Sequence, residues 1–324
     1  MLFHPICLCL LLLVGACAAK SPRPPSTATA IPHFTEPELI TLPDGRRMAV
    51  HHFGDPHGSP LLLFHGWPSD GSLGAILDTA ARKHHFRILA PDRPGIGRSD
   101  PLPGRKLTDW PADVRAISAH YGFGKFSVIG ISGGGPYALA IAHAMPSQVL
   151  RTAVISGAPP LDAPADTATL LPAYRKLLRM RQSHPGMLRF GFRAARSVVP
   201  ALPDRWLRPG KSQLSAPDHL IFADPQIQSL LTDTARRSFR GSRDGVHDDA
   251  VLYACPWDFS PALIRTHVEF WHGAMDINFP PALARKLAAS IPGAHIHVVP
   301  GEGHYSLPVN RADAIFATLA RQGR

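Results

Sequence analysis

The chain has 324 residues, of which 45% are hydrophobic and 18% charged, so it can bury the core of a large domain and is not a disordered polymer. Its 34 prolines and 27 glycines favour many turns and loops and argue against a helical bundle. The formal net charge of +10 is compatible with nucleic-acid binding. No Lys/Arg run with interleaved aromatic residues occurs, however, and we therefore expect no nucleic-acid partner.

The first residues, MLFHPICLCLLLLVGACAAK, contain an apolar run that is too short to span a bilayer comfortably, followed by small residues. The VGAC segment resembles a bacterial lipobox, in which Cys17 becomes the lipidated first residue of the mature chain. We therefore interpret residues 1–17 as a signal segment and expect export to the bacterial cell envelope, with lipid attachment on the periplasmic side. Signal cleavage near Ala18 or Ala19 and a retained membrane anchor are the alternatives, because no Lys or Arg precedes the apolar run.

Residues 18–35 include SPRPPSTATAIP, a stretch rich in Pro, Ser, Thr and Ala that predicts a tether between the leader and a globular body. Three of the four cysteines lie in the leader, which leaves Cys255 alone in the body. The sequence therefore indicates neither a disulfide framework nor a zinc motif with cysteine and histidine spacing. We expect no metal and no organic cofactor.

The body alternates between buried-strand and helix patterns. Two strands flank the Pro43–Gly45 turn in ELITLPDGRRMAVHHFG. Apolar runs typical of strands buried on both faces follow at 60–66, 86–94, 126–132, 151–160, 266–276 and 294–304. Helical patterns occupy 72–84, 108–121, 133–145, 280–290 and 305–321. This alternation predicts an α/β domain with a mostly parallel sheet, whose functional groups lie at the carboxyl ends of the strands.

Residues 161–245 interrupt this alternation and are predicted to form helices with Pro-rich joints. They contain 14 Lys and Arg residues against seven Asp and no Glu, which accounts for most of the net positive charge. An insertion at this point would lie over the strand ends as a cap between core segments 36–160 and 246–324. Its positive charge is consistent with binding to anionic lipid headgroups or to an acidic substrate. It is equally consistent with a solvated surface that binds neither.

One serine stands at the junction of a buried strand and a helix. The sequence GISGG at 130–134 fits the pattern G-x-S-x-G, which in this setting is a nucleophile elbow. Ser132 would occupy the sharp turn, and Gly130 and Gly134 would let strand and helix approach without a Cβ clash. A phosphate-binding turn is not indicated, because G-x-G-x-x-G and the P-loop lysine are both absent.

A serine hydroxyl needs a base within hydrogen-bond reach, and the base needs a group that orients it. His304 in GEGHYS follows the last apolar strand run and is the best candidate for the base. Asp276 in WHGAMDINFP follows the preceding strand, where it would orient the imidazole or simply cap the next helix. Asp162, past the strand at 151–160, is the fallback acid.

A developing oxyanion needs backbone donors. The segment HGWP at 65–68 follows the third strand and would supply the Trp67 N–H, and Gly133 would supply the second N–H. We expect His65 to brace this turn without transferring a proton.

With these residues placed, the chain from about residue 36 resembles the α/β-hydrolase fold-1 superfamily. LLLFHGWP, ILAPDRPGIGRSD, VIGISGGGPYALAIA, VEFWHGAMDINFP and HVVPGEGHYS carry the resemblance. It implies an eight-stranded sheet with a helical cap between strands six and seven. Asp92, Arg93 and Ser99 correspond to the family's loop after strand four and are expected to organise that loop. Epoxide hydrolases and haloalkane dehalogenases share the HGWP-like turn, but their nucleophile is Asp where this chain has Ser132.

The sequence therefore predicts a serine hydrolase that cleaves a carboxylic ester or a related acyl bond of a small molecule through Ser132, His304 and Asp276. Three alternatives remain open. The first is a prolyl-type aminopeptidase, which would need carboxylates in the cap to bind an N-terminal amine. The second is a cofactor-free perhydrolase, and the third is a non-catalytic binding protein on the same scaffold.

Overall fold

The computed structural model describes residues 31–161 and 163–321, and in this part of the chain eight strands form a single sheet. The strands are β1 (Glu38–Thr41), β2 (Arg47–Gly54), β3 (Ser59–Phe64), β4 (Phe86–Pro91), β5 (Phe126–Ile131), β6 (Val149–Ile155), β7 (Val268–Gly273) and β8 (His295–Val299). Their order is β1-β2-β4-β3-β5-β6-β7-β8. Strand β2 pairs antiparallel with β1 and β4, and the other neighbouring pairs are parallel. The predicted mostly parallel, eight-stranded α/β sheet is confirmed.

Helices connect most of the parallel strands. Those of the core are α1 (Asp78–Lys83), α2 (Trp110–His120), α3 (Gly135–Ala144), α11 (Pro281–Ala289), α12 (Ser306–Asn310) and α13 (Ala312–Leu319). Those between β6 and β7 are α4 (Pro164–Thr167), α5 (Pro172–Ser183), α6 (Pro185–Val198), α7 (Asp204–Leu207), α8 (Ala216–Ile221), α9 (Pro225–Ser238) and α10 (Gly245–Tyr253).

Two predicted helices differ from the structure. The segment expected to be helical over 72–84 begins as a 3-10 helix, Gly71–Leu77, and becomes α-helical only from Asp78. Its glycines allow a tight approach to the sheet, since a Cβ on Gly74 would lie 2.6 Å from the Phe53 ring. The helix expected over 305–321 is divided into α12 and α13 at Arg311.

The central strands are largely apolar because both faces of the sheet are covered there. In β3, Leu62 and Phe64 face a cluster that contains Val128 and Tyr137, whereas Leu61 and Leu63 face the opposite cluster. Successive side chains of a strand point to opposite faces, so a strand buried on both sides must be apolar at every position. These two layers fix the sheet whose carboxyl edge carries the candidate residues.

The helices between β6 and β7 pack on that carboxyl edge and extend past residue 245, because α10 follows directly. A third apolar cluster joins them to the loop after β4: Ile96, Leu188, Phe192, Ala195, Phe239 and Val246. We call residues 163–253 the helical insertion. Among the described residues, we find no helix with both the length and the apolar character needed to cross a membrane.

Candidate active site

Ser132 lies where β5 turns into α3, in a backbone conformation that favours glycine. Its φ is +51°, which for a residue with a side chain is strained and typical of a nucleophile elbow. The flanking glycines are required by contact. A Cβ on Gly130 would lie 2.5 Å from the Gly134 carbonyl oxygen, and a Cβ on Gly134 would overlap the Phe64 carbonyl. The close approach expected from the sequence is therefore present at both glycines.

The structure brings together the three side chains that the sequence placed far apart. His304, after β8, has Nε2 3.0 Å from the Ser132 Oγ and Nδ1 2.8 Å from Asp276 Oδ2. Asp276, after β7, is buried, and its Oδ1 accepts hydrogen bonds from the amides of Asn278 (2.9 Å) and Phe279 (3.0 Å). One carboxylate oxygen thus holds the local turn while the other faces the imidazole.

Burial and charge have opposite effects on the pKa values of His304 and Asp276, and the effect of charge is the larger. Burial alone would lower the pKa of His304, but the negative charge of Asp276 and its hydrogen bond raise that pKa above the ordinary histidine value. Burial alone would raise the pKa of Asp276, but the neighbouring His304 lowers it. The carboxylate therefore stays ionised and stabilises a protonated imidazole.

The loop that carries His304 is held by an aspartate of the helical insertion. Asp218, on α8, is buried. Its Oδ2 accepts from the His304 amide at 3.0 Å, and its Oδ1 accepts from the amides of Tyr305 (2.8 Å) and Ser306 (2.9 Å). Asp218 is not among the candidate residues predicted from the sequence. The only local signal is the S-A-P-D stretch that begins at Ser215, which fits a helix-start pattern.

The turn after β3 lies against the elbow and is held from behind by Arg93. A Cβ on Gly66 would lie 3.5 Å from the Cβ of Ser132. Arg93 donates from Nη2 to the Gly66 carbonyl at 2.9 Å and from Nη1 to the His65 carbonyl. In a trans peptide, C=O and N–H point in opposite directions, so anchoring the Gly66 carbonyl turns the Trp67 N–H away from Arg93.

His65 braces this turn in the way expected from the sequence. Its Nδ1 lies 2.9 Å from the Gly66 carbonyl oxygen, and its Nε2 accepts from the Arg93 amide at 3.3 Å. Complete burial and the charge of Arg93 lower the pKa of His65 to about 3. The ring is therefore neutral.

A buried ion pair connects Arg93 to the helical insertion. Its guanidinium lies 2.8 Å from Asp249 on α10, and Arg105 reaches the same carboxylate at 2.5 Å. The Tyr137 hydroxyl donates to it at 2.8 Å. Although burial alone would raise the pKa of Asp249, the two guanidinium groups lower it. The insertion thus contributes a fixed negative charge to the base of the turn.

Asp92 and Ser99 lie in the same loop and act on its backbone. Asp92 accepts from the amides of Gly71 (2.7 Å) and Arg98 (3.1 Å). The Ser99 hydroxyl donates to the Asp92 carbonyl at 2.7 Å and accepts from the Ala49 amide at 3.0 Å. These contacts are those of a loop organiser, which is the role expected for them and for Arg93.

Ser132 lies between two cavities that the insertion covers. The larger, of about 220 Å³, reaches Ser132 and His304, and the smaller, of about 50 Å³, reaches Ser132 and Gly133. Side chains of the core and of the insertion line the larger one, among them Leu73, Ile76, Ala195, Val198 and Phe239. None of the described residues that line the larger cavity is Asp, Glu, Lys or Arg.

Tyr253, the last residue of α10, is a further candidate that the sequence did not reveal. A Cβ on Gly133 would lie 2.6 Å from the Tyr253 hydroxyl, so that oxygen is next to the elbow. The side chain is buried in the smaller cavity, and its hydroxyl has no hydrogen-bond partner among the described residues. Burial raises the pKa of this phenol well above its ordinary value, so the hydroxyl stays neutral and can donate a hydrogen bond into the site.

Two candidate residues named from the sequence, Cys17 and Asp162, lie outside the described residues, and their roles remain predictions.

Comparison with known proteins agrees with this architecture. A family model described as alpha/beta hydrolase fold matches residues 59–310. The chain is 32% identical over 130 residues to a non-heme chloroperoxidase of Streptomyces lividans, an alignment that covers 40% of this chain and 47% of the relative. It is also 32% identical over 128 residues to a proline iminopeptidase of Xylella fastidiosa, covering 37% and 40%. The chain thus spans less than half the length of these relatives.

An esterase from Exiguobacterium antarcticum has a similar structure, with a TM-score of 0.61 and 18% identity over 87% of this chain and 97% of the esterase. At that identity the likeness concerns the fold alone. The family match over most of the chain, together with the sheet order and the elbow at its carboxyl edge, shows that this protein belongs to the alpha/beta hydrolase fold family.

Proposed function

We propose that the protein is a serine hydrolase that cleaves carboxylic esters with an uncharged, apolar body. The observation that carries this proposal is the hydrogen-bonded series from Ser132 through His304 to Asp276, at the floor of an apolar cavity. A strained serine beside an imidazole that a buried carboxylate orients is the arrangement that activates a hydroxyl for attack on an acyl carbon.

In the proposed reaction, His304 Nε2 takes the proton of Ser132 as Oγ attacks the ester carbonyl carbon. Asp276 holds the Nδ1–H and stabilises the imidazolium that forms. The tetrahedral intermediate then collapses as His304 gives its proton to the leaving alcohol, which departs and leaves an acyl-enzyme on Ser132. A water molecule then attacks this ester while His304 takes one of its protons, and His304 returns that proton to Ser132 Oγ as the carboxylic acid is released.

The amides of Trp67 and Gly133 are proposed as donors to the oxyanion. Gly133 lies in the first turn of a helix, where amides have no intrahelical partner. Its backbone is packed against Trp67, because a Cβ on Gly133 would lie 3.1 Å from the Trp67 Cβ. Losing one such donor typically costs about 3–4 kcal/mol of transition-state stabilisation.

The larger cavity favours an uncharged group over the alternative substrates, whereas Arg181 is among the residues that line the smaller cavity. A prolyl-type aminopeptidase must bind a protonated amine, and none of the described residues lining the larger cavity is a carboxylate. An acidic substrate would need a cation, and those lining residues include neither Lys nor Arg. The smaller cavity has room for only a short group, so we place the bulkier half of the ester in the larger one. A cofactor-free perhydrolase would use the same acyl-enzyme, with peroxide in place of water.

The leader remains part of the proposal. We propose that residues 1–17 direct export, that Cys17 is lipidated at the cell envelope, and that 18–35 tether the catalytic body there. The basic helical insertion would then face an anionic membrane surface.

The first prediction concerns the nucleophile. Ser132→Ala should reduce kcat for p-nitrophenyl esters by about four orders of magnitude or more and abolish labelling by a fluorophosphonate, because it removes the attacking oxygen. Ser99→Ala, which changes a loop serine outside the cavity, should still be labelled. Undiminished turnover in Ser132→Ala would contradict the mechanism. A wild type inert toward graded acyl esters, proline amides and peroxide would indicate a binding protein.

The second prediction is a pH dependence. His304 must be unprotonated to accept the Ser132 proton, so kcat/KM should fall as the pH drops through its pKa. Because Asp276 raises that pKa, the midpoint of the acidic limb should lie above 6.5, the ordinary histidine value. In Asp276→Asn the larger of the two raising charges is gone, while that of Asp218 remains, and the midpoint should move to lower pH together with a loss of rate. A wild-type midpoint below 6.5 would contradict this assignment.

The third prediction concerns Tyr253. We expect its hydroxyl to donate to the substrate oxygen as negative charge develops there, so Tyr253→Phe should lower kcat by about 10- to 100-fold and change KM little. Tyr174→Phe, in a tyrosine that lines both cavities, is the matched control and should keep most of the activity. Steady-state kinetics on one short-chain ester measures both variants. Wild-type kcat in Tyr253→Phe would exclude the role.

The fourth prediction concerns Cys17. Full-length protein expressed in a bacterium should be found in the membrane fraction, with an intact mass that corresponds to a chain starting at lipidated Cys17. Cys17→Ser should move it out of the membrane. An unmodified chain starting near Ala18 or Ala19 would support ordinary cleavage, and an uncut chain would support a retained anchor. Either result would overturn lipidation.

A further inference from the structure

A second group of chemically active side chains lies away from Ser132, at the amino ends of β7 and β8. Glu269 is the second residue of β7, His267 immediately precedes the strand, and His295 opens β8. The register pairs Glu269 with His295 and Trp271 with His297. Because side chains two residues apart share a face, the two strands present three histidines and one glutamate on one side of the sheet.

The possible ligand atoms of His267, Glu269 and His295 lie close enough together to bind one cation. His267 Nε2 lies 2.6 Å from Glu269 Oε1, and His295 Nδ1 lies 3.8 Å from the same oxygen. The ligand atoms of these three residues all lie within 4.8 Å of one another. In a tetrahedral zinc site with bonds of 2.0–2.1 Å, ligand atoms are about 3.3 Å apart, so side-chain shifts below about 1 Å would complete the geometry.

The surroundings of Glu269 add the support that metal sites usually have. His297 Nε2 lies 2.7 Å from the other carboxylate oxygen, Oε2, and its ring stacks on Trp271 with centroids 4.3 Å apart. A carboxylate held by an outer partner is oriented for the cation. Glu269 itself is buried, whereas the His295 side chain is 64% exposed, so an ion could enter from solvent.

We propose that His267, Glu269 and His295 form a binding site for a divalent transition-metal cation of the zinc class, with water in the remaining position and His297 supporting the glutamate. Two imidazoles and a carboxylate are a suitable ligand set for Zn²⁺ among the divalent transition metals. This departs from the expectation of no metal. That expectation rested on the absence of a local histidine and cysteine spacing. The ligands proposed here come instead from two strands that only the fold brings together.

The site would be structural. It lies at the end of β7 opposite to Asp276, and it would join β7 to β8, which is an edge strand of the described sheet. A cation that binds only the folded state should increase the free energy of unfolding. The loop with Glu302 and His304 follows β8, so a cation that fixes β8 to β7 would also restrain the start of this loop.

The test uses the full chain without a histidine tag, stripped by a chelator, with Zn²⁺ alone as the probe. Isothermal titration should give one equivalent for the wild type. Affinity should fall by at least about 10- to 100-fold in both His267→Ala and His295→Ala. His184→Ala, an exposed histidine of the insertion, and Ser132→Ala should bind as the wild type does. Co²⁺ should give the visible absorption of a four-coordinate site in the wild type and in neither His267→Ala nor His295→Ala.

Thermal unfolding supplies a second readout that does not depend on activity. Zn²⁺ should raise the midpoint of the wild type and leave that of His295→Ala unchanged. Because His295 is exposed, this variant should fold, and its circular dichroism spectrum will show whether it does. Absence of binding by the wild type, or wild-type affinity in the two histidine variants, would overturn the proposal and leave these groups as ordinary hydrogen-bonded pairs.

Discussion

The buried contact between Arg93 and Asp249 connects the parts of this site to one another. Arg93 is fully buried, and it donates to the carbonyls of the turn before Trp67 as well as to the carboxylate on α10. Removing one partner of such a buried pair typically costs about 3–5 kcal/mol, because the other charge is left without compensation. The turn beside Ser132 therefore has its geometry only when the helical insertion is docked on the sheet.

A second contact of the same kind acts from the opposite side. Asp218, also from the insertion, accepts the amides of three consecutive residues that begin at His304. The insertion thus positions both the turn and the loop of the base through buried carboxylates. The elbow is different, because its strain is imposed locally by β5, α3 and the glycines between them. The nucleophile belongs to the core alone, whereas the groups that serve it depend on insertion and core together.

This division explains what the sequence could predict. Ser132, Asp276 and His304 each follow an apolar strand run, and parallel strands end at one edge, so local patterns and topology together locate them. Asp218, Asp249 and Tyr253 lie on helices whose sequences do not distinguish these residues from other polar positions, and only tertiary contacts give them a role in the site. The sequence alone does not show where the insertion ends, since α10 has a helical pattern whether it covers the core or belongs to it. The 3-10 start of the first helix depends on Gly71 and Gly74 meeting the sheet, which no local pattern reveals.

The charge of the insertion is kept away from the larger cavity, whereas Arg181 of the insertion lines the smaller one. Several of its arginines are paired with carboxylates within the fold: Arg189 and Arg193 share Asp244, Arg236 pairs with Asp204, and Arg237 pairs with Asp70. The described residues that line the larger cavity carry no formal charge apart from any on His304. A charged residue near Ser132 would compete with the developing oxyanion for the same donors or shift the pKa of His304. An apolar cavity leaves Asp276 as the dominant charge acting on that imidazole, with a smaller effect of the same sign from Asp218, so the lining that selects a neutral substrate also keeps other charges away from the base.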